Sequence, residues 1–181
     1  MTTGHVFIAT SLDGFIARRD GNLDWLMKHS TEGEDHGFAA MMASVDGLIM
    51  GKGTFQQVLS FEQGWPYEKP VVVMSRSLKE KDIPDHLSGR VRLSDATPQV
   101  LMNQLNTEGW NRAYVDGGKV IQSFLAEGLI EDILLTRIPI LIGEGLSLFG
   151  PAPHDIDLEH LETQSFPSGM VSSKYRVIRE L

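Results

Sequence analysis

Short apolar runs recur along the chain, separated by polar and glycine-rich stretches. Val6-Phe7-Ile8-Ala9, Gly47-Leu48-Ile49-Met50, Val71-Val72-Val73-Met74, Ala113-Tyr114-Val115 and Ile133-Leu134-Leu135-Thr136 are each too short for a helix. Apolar runs without alternation predict strands buried on both faces. Val91-Arg92-Leu93 is a weaker strand. Between these runs the spacing turns helical. Phe38, Met41 and Met42 share one face of residues 34–44, and a second helix starts over Thr54 to Leu59. A third is predicted from Pro98 to Glu108, with Thr97 as N-cap and Pro98 at the first helical position. A fourth runs from Lys119 to about Glu127 and ends at Gly128. Residues 17–33 predict a long loop around Trp25, and the Pro139 to Phe149 segment is punctuated by glycine. The tail predicts two strands, roughly 158–166 and 170–179, joined through a Ser168-Gly169 turn.

Strands alternating with helices require a sheet covered on both faces. The last two strands have no helix between them and must pair antiparallel. The expectation is a three-layer α/β/α domain spanning residues 1–181, with a mixed, mostly parallel sheet and an antiparallel C-terminal edge.

Composition narrows the chemistry. The chain has 181 residues, no cysteine and a formal net charge of −8. Without thiols there are no disulfides, iron–sulfur clusters, thiolate zinc sites or cysteine nucleophiles. The acidic balance argues against a general nucleic-acid binder, which needs clustered Lys and Arg. The N-terminus has no basic region followed by a long apolar run, and no apolar stretch reaches the roughly 20 residues that span a bilayer. The expectation is a cytoplasmic protein with no membrane partner. The six histidines form no ligand pair at metal-binding spacing, so no metal is expected.

Dinucleotide-binding G-x-G-x-x-G, P-loop and G-x-S-x-G motifs are all missing. Two other junctions carry chemistry. Gly51-Lys52-Gly53-Thr54 and Gly117-Gly118-Lys119 each leave a buried strand and enter a helix. Glycine lets an anion approach the backbone, a helix N-terminus presents unpaired N–H groups, and lysine adds charge. Arg76 follows the third strand in a comparable place. If these strands are parallel, all three cations lie at one sheet edge, where α/β sheets bind ligands. That arrangement suits a ligand with several phosphates.

The same residues carry a family resemblance. Met50-Gly51-Lys52-Gly53-Thr54-Phe55 resembles the I-M-G-[RK]-x-T-[WFY] signature of dihydrofolate reductases, and Val115-Asp116-Gly117-Gly118-Lys119-Val120 resembles their later G-G-[RK]-V motif. The chain is more similar to the reductase domain of bacterial riboflavin biosynthesis and its stand-alone relatives. Ser11-Leu12-Asp13-Gly14-Phe15-Ile16-Ala17 matches that group's S-L-D-G-x-I-A, residues 46–54 match D-x-x-x-x-G-[RK]-x-T, and residues 139–149 match P-x-x-x-G-x-G…L-F. Asp116 stands where the longer reductase motif has its first glycine.

The resemblance implies an NADPH-dependent reductase with the dihydrofolate reductase fold. Gly51, Lys52 and Thr54 would bind the cofactor's phosphates, Ser75 and Arg76 its 2′-phosphate, and Gly117, Gly118 and Lys119 its pyrophosphate. The substrate would be a small pterin- or pyrimidine-like heterocycle. Asp35, supported by Thr136, falls where dihydrofolate reductases carry their pterin-binding carboxylate, and Asp13 is a second candidate acid. Trp25 and Phe55 are candidate substrate contacts. Stand-alone relatives pair, so a homodimer is expected. Two alternatives stand beside this reading: a nucleotide-binding module without catalysis, and a flavin-binding reductase.

Overall fold

The computed structural model describes residues 1–179; Glu180 and Leu181, the end of the expected domain, lie outside the described residues. Among the described residues, ten strands and five α-helices follow one another, with two short 3-10 turns between β4 and β5. They are β1 (Thr3–Ser11), β2 (Phe15–Ala17), α1 (Asp24–Met27), α2 (Phe38–Ser44), β3 (Gly47–Gly51), α3 (Lys52–Leu59), β4 (Val71–Met74), β5 (Val91–Ser94), α4 (Pro98–Thr107), β6 (Arg112–Asp116), α5 (Gly118–Ala126), β7 (Ile130–Ile138), β8 (Leu146–Ser147), β9 (Leu158–Ser165) and β10 (Val171–Val177). Eight strands form one sheet in the order β5-β4-β3-β6-β1-β7-β10-β9. The first six in that order are mutually parallel; β10 runs antiparallel to β7, and β9 to β10. This is the expected three-layer arrangement with an antiparallel C-terminal edge.

Alternation divides the core in two. Leu48, Met50, Val71, Val73 and Tyr114 point to the face covered by α2 and α3. Ile49, Val72, Val115, Ile133 and Leu135 point to the opposite face, where Leu101 and Leu105 of α4 and Ile121 and Phe124 of α5 meet them. Each such side chain, fully buried, contributes about 1.5–3 kcal/mol. The caps follow local chemistry. Thr97 Oγ1 accepts from the Val100 N–H at 3.5 Å, Pro98 opens α4, and Gly128, at φ +66°, follows α5.

Three details depart from expectation. β1 and β7 are each nine residues long, well beyond their apolar centres. The segment 17–33 is not all loop, because α1 carries Trp25 inward within it. Phe15–Ala17 and Leu146–Ser147 pair as a small second sheet, too short to show a period in the sequence.

Candidate active site

Because six strands are parallel, their C-terminal ends, Ser11, Gly51, Met74, Ser94, Asp116 and Ile138, open along one edge. β3 and β6 are neighbours there, with Met50 opposite Asp116. Yet α3 leaves β3 toward one face and α5 leaves β6 toward the other. Their N-termini therefore flank a crevice, the usual ligand position in an open α/β sheet.

The two glycine junctions close on each other in that crevice. Gly117 has φ +99°, and a Cβ there would lie 2.7 Å from Thr54 Oγ1. A Cβ on Gly51 would lie 3.1 Å from Val120, and one on Gly118 would lie 2.8 Å from the Ser147 carbonyl. At Gly117 and Gly118 only glycine admits this approach, and at Gly51 a side chain would press on Val120. The structure thus brings Gly51, Thr54, Gly117 and Gly118 together. Lys52 Nζ donates to Ser77 Oγ at 3.0 Å, joining the start of α3 to the segment after β4. In that segment the Ser75 hydroxyl accepts from the backbone of Ser77 and Leu78.

Beside this crevice lies a cleft of about 460 Å³ at the ends of β4 and β5. Ser75, Arg76, Lys119 and the start of α4 line it, together with Asp95 and Glu127. Glu127 accepts from the Gln99 N–H at 3.1 Å. Lys119 and Arg76 are thereby in one cavity, and the residues present fit a phosphate-rich, elongated ligand. From β5 to β1 is four inter-strand spacings, roughly 19 Å, so such a ligand can run along the edge from this cleft past the glycine crevice to β1.

The other end of the edge, over β1 and β7, is built from distant segments. Trp25 is 1 % exposed and packs with Ile138 and Met170. Its indole N–H has no partner among the described residues. Glu34 accepts from the Ser168 hydroxyl at 2.6 Å and pairs with His36 at 2.8 Å, tying the chain before α2 to the β9–β10 hairpin. The Ser168 hydroxyl, and then His36, hold the Glu34 carboxyl below its ordinary range.

The expected substrate residues are placed differently. Asp35 does not meet Thr136. It is exposed before α2, where both its oxygens lie 3.2 Å from the Ala39 N–H. Thr136 is buried and bonds Ser172 Oγ at 2.6 Å, because register sets those two residues opposite each other. Asp13 accepts from Gly143 N at 2.8 Å and Ile142 N at 3.3 Å, fixing the loop after β7. Hydrogen bonding by the Ser11 hydroxyl, followed by those two N–H groups, lowers its pKa and makes it a poor proton donor. Phe55 is 1 % exposed inside the α3-side core, so like Trp25 it serves packing and offers no open surface.

One carboxyl at this crevice was not among the acids singled out from the sequence. Asp116 ends β6, half-buried, on the sheet face that carries Tyr114. Burial pushes its carboxyl up to about 6, although the Gly117 N–H at 2.9 Å favours the charged form. The Tyr67 and Tyr114 phenols are its neighbours, both held above their usual range by burial. The available signal was an acid directly before a glycine pair at a strand end.

Known proteins share this architecture. A protein from Shewanella sp. PV-4, assigned only provisionally to riboflavin biosynthesis, is 40 % identical, with a TM-score of 0.92 over 98 % of this chain and 100 % of its own. The diaminohydroxyphosphoribosylaminopyrimidine deaminase/5-amino-6-(5-phosphoribosylamino)uracil reductase of Thermotoga maritima has the same fold at 16 % identity and a TM-score of 0.75, over 98 % of this chain and 57 % of that enzyme. The uncharacterised Bacillus subtilis protein YwjB is 27 % identical over 162 residues, 89 % of this chain and 90 % of its own. The arrangement is dihydrofolate reductase-like, and no described helix is long and apolar enough to cross a membrane. Residues 3–172 match the RibD C-terminal domain, almost the whole chain, and the protein belongs to that family.

Proposed function

We propose that this protein is an NADPH-dependent reductase of a small heterocycle with an aminopyrimidine ring. The observation that carries the reading is the convergence of Gly51, Thr54, Gly117 and Gly118 into one crevice beside a cleft holding Arg76 and Lys119. Gly51, Lys52 and Thr54, with Gly117, Gly118 and Lys119, would hold the pyrophosphate against two helix N-termini. Ser75 and Arg76 would hold the 2′-phosphate, which favours NADPH over NADH.

A bound reduced nicotinamide supplies a hydride: the substrate's C=N becomes CH–NH, the cofactor is oxidised, and one proton must reach the nitrogen. Asp116 sits beside the glycine pair with its carboxyl raised to about 6, a range in which it both holds and releases a proton near neutrality. We assign it that role in place of Asp35 and Asp13. The test is single-turnover oxidation of NADPH against pH. The wild-type rate should fall as pH rises through about 6, and Asp116→Asn should lower the rate and flatten the profile. An unchanged profile would remove Asp116 from the mechanism.

The same reading includes a cytoplasmic homodimer. Leu141, Leu146 and Phe149 are 68 %, 46 % and 48 % exposed within the segment that follows β7, an apolar surface available for pairing. A monomeric mass by light scattering would contradict it.

A further inference from the structure

The cofactor reading accounts for the cations in the cleft beside the glycine crevice and leaves a carboxylate unexplained. Four ionic side chains line that cavity of about 460 Å³: Arg76, Asp95, Lys119 and Glu127. Glu127 is committed, because it accepts the Gln99 N–H at 3.1 Å in the first turn of α4. In the same turn the Val100 N–H bonds Thr97 Oγ1, and the Leu101 N–H bonds the Thr97 carbonyl. With Pro98 in the first position, every early N–H group of α4 is satisfied within the chain, so this helix end has nothing left for an anion. The side chains of Arg76, Asp95 and Lys119 make no hydrogen bond or ion pair among the described residues, and Asp95 is exposed to the cavity.

The strand order decides which part of a ligand each free group meets. Along the edge the order is β5-β4-β3-β6. The glycine crevice lies at β3 and β6, with Lys119 in the first turn of α5. Ser75 and Arg76 follow β4, and Asp95 follows β5. β5 stands two inter-strand spacings from β3, roughly 10 Å. A dinucleotide with its pyrophosphate at the crevice and its 2′-phosphate at Arg76 therefore carries its base outward to β5, against Asp95. A free carboxylate in a cavity that takes phosphates disfavours binding unless the ligand brings it a hydrogen-bond donor. Adenine brings one in its exocyclic amine. A purine with a carbonyl on that carbon sets a second acceptor against the carboxylate.

We propose that Asp95 reads the base of the cofactor: its carboxylate accepts from the exocyclic amine of adenine and rejects a purine carrying a carbonyl in that place. The inference rests on the NADPH reading above and adds to it a residue that determines specificity.

The test is calorimetric titration of the wild-type protein and of Asp95→Asn with NADPH and with its hypoxanthine analogue, in which a carbonyl replaces the amine. Wild-type protein should bind NADPH at least about tenfold more tightly than the analogue. Asp95→Asn, whose amide can accept from an amine or donate to a carbonyl, should bring the two within about twofold. The two ligands carry equal charge, so a general change in the cavity's potential moves both dissociation constants together and leaves their ratio alone. Equal affinities in the wild-type protein, or a preference that survives in Asp95→Asn, overturns the inference while the cofactor reading stands. Failure to bind either nucleotide is distinguishable, because it removes the cofactor reading and this inference with it.

Discussion

The two halves of the open sheet edge are built on different principles. At the β3–β6 crevice each functional unit is contiguous in sequence: strand, glycine, lysine, helix. Its geometry follows from two adjacent junctions, and Gly117 approaches Thr54 because no Cβ intervenes. At the β1–β7 end nothing is contiguous. Trp25 meets Met170, Glu34 meets Ser168, and Asp13 meets Gly143, each across more than a hundred residues. On the proposed reading, a cofactor common to many reductases would be served by a local, rigid solution. A substrate particular to one enzyme would be served by converging loops, the usual place for variable function.

This contrast can be broken from either side. The largest effect should come from Trp25→Ala, which empties a fully buried site under the substrate-side loops. Unfolding free energy should drop by about 3–5 kcal/mol in denaturant titration, while the NADPH dissociation constant of the folded protein moves less than about twofold. Equal losses in both would mean that the halves are one unit. Gly117→Ala does the reverse. Its φ of +99° and the 2.7 Å approach to Thr54 leave no room for a methyl group. Stability should fall by about 1–3 kcal/mol, and NADPH binding by calorimetry should weaken about a hundredfold.

Asp116 lies where the halves meet. Asp116→Asn should lower the single-turnover rate about a hundredfold. The same substitution has a stability signature of fixed sign. The folded-state pKa of Asp116, about 6, is above the ordinary carboxylate value. Wild-type stability is therefore fullest below the unfolded pKa and is lost as pH rises through about 6. The variant should be relatively more stable near pH 8, with the difference gone near pH 4, as read by thermal unfolding. A smaller change is expected from Ser168→Ala. The Glu34 carboxyl is held below its usual range, so its stabilising contribution exists above the unfolded pKa and disappears as pH falls. The variant should show a slightly lower Tm at neutral pH and none of that deficit in acid.

The same contrast explains what could be read from the sequence. β3 and β4 were legible because strands buried on both faces are continuous apolar runs. The two glycine–lysine junctions were legible as a unit because a glycine and a lysine at a strand end need no distant partner to define them. Asp35 and Thr136 were paired by counting along the chain, but strand register places Thr136 opposite Ser172, and Asp35 turns back onto the start of α2. Trp25 stood in a polar stretch that suggested an open loop, while its burial depends on Ile138 and Met170, far along the chain. Asp116 was visible as an unusual acid before two glycines. What singles it out for the proposed role is its half-buried place beside Tyr67 and Tyr114, which the sequence does not show.

The central claim is that the cationic end of this edge is an NADPH site. It is tested most directly by titrating the purified protein with NADPH and NADH in parallel, read by the fluorescence of its three tryptophans, and repeated with Arg76→Ala. Wild-type protein should bind NADPH at least about tenfold more tightly than NADH, and Arg76→Ala should erase most of that difference while leaving NADH binding nearly unchanged. Equal affinity for the two nucleotides, or no binding of either, would contradict the account.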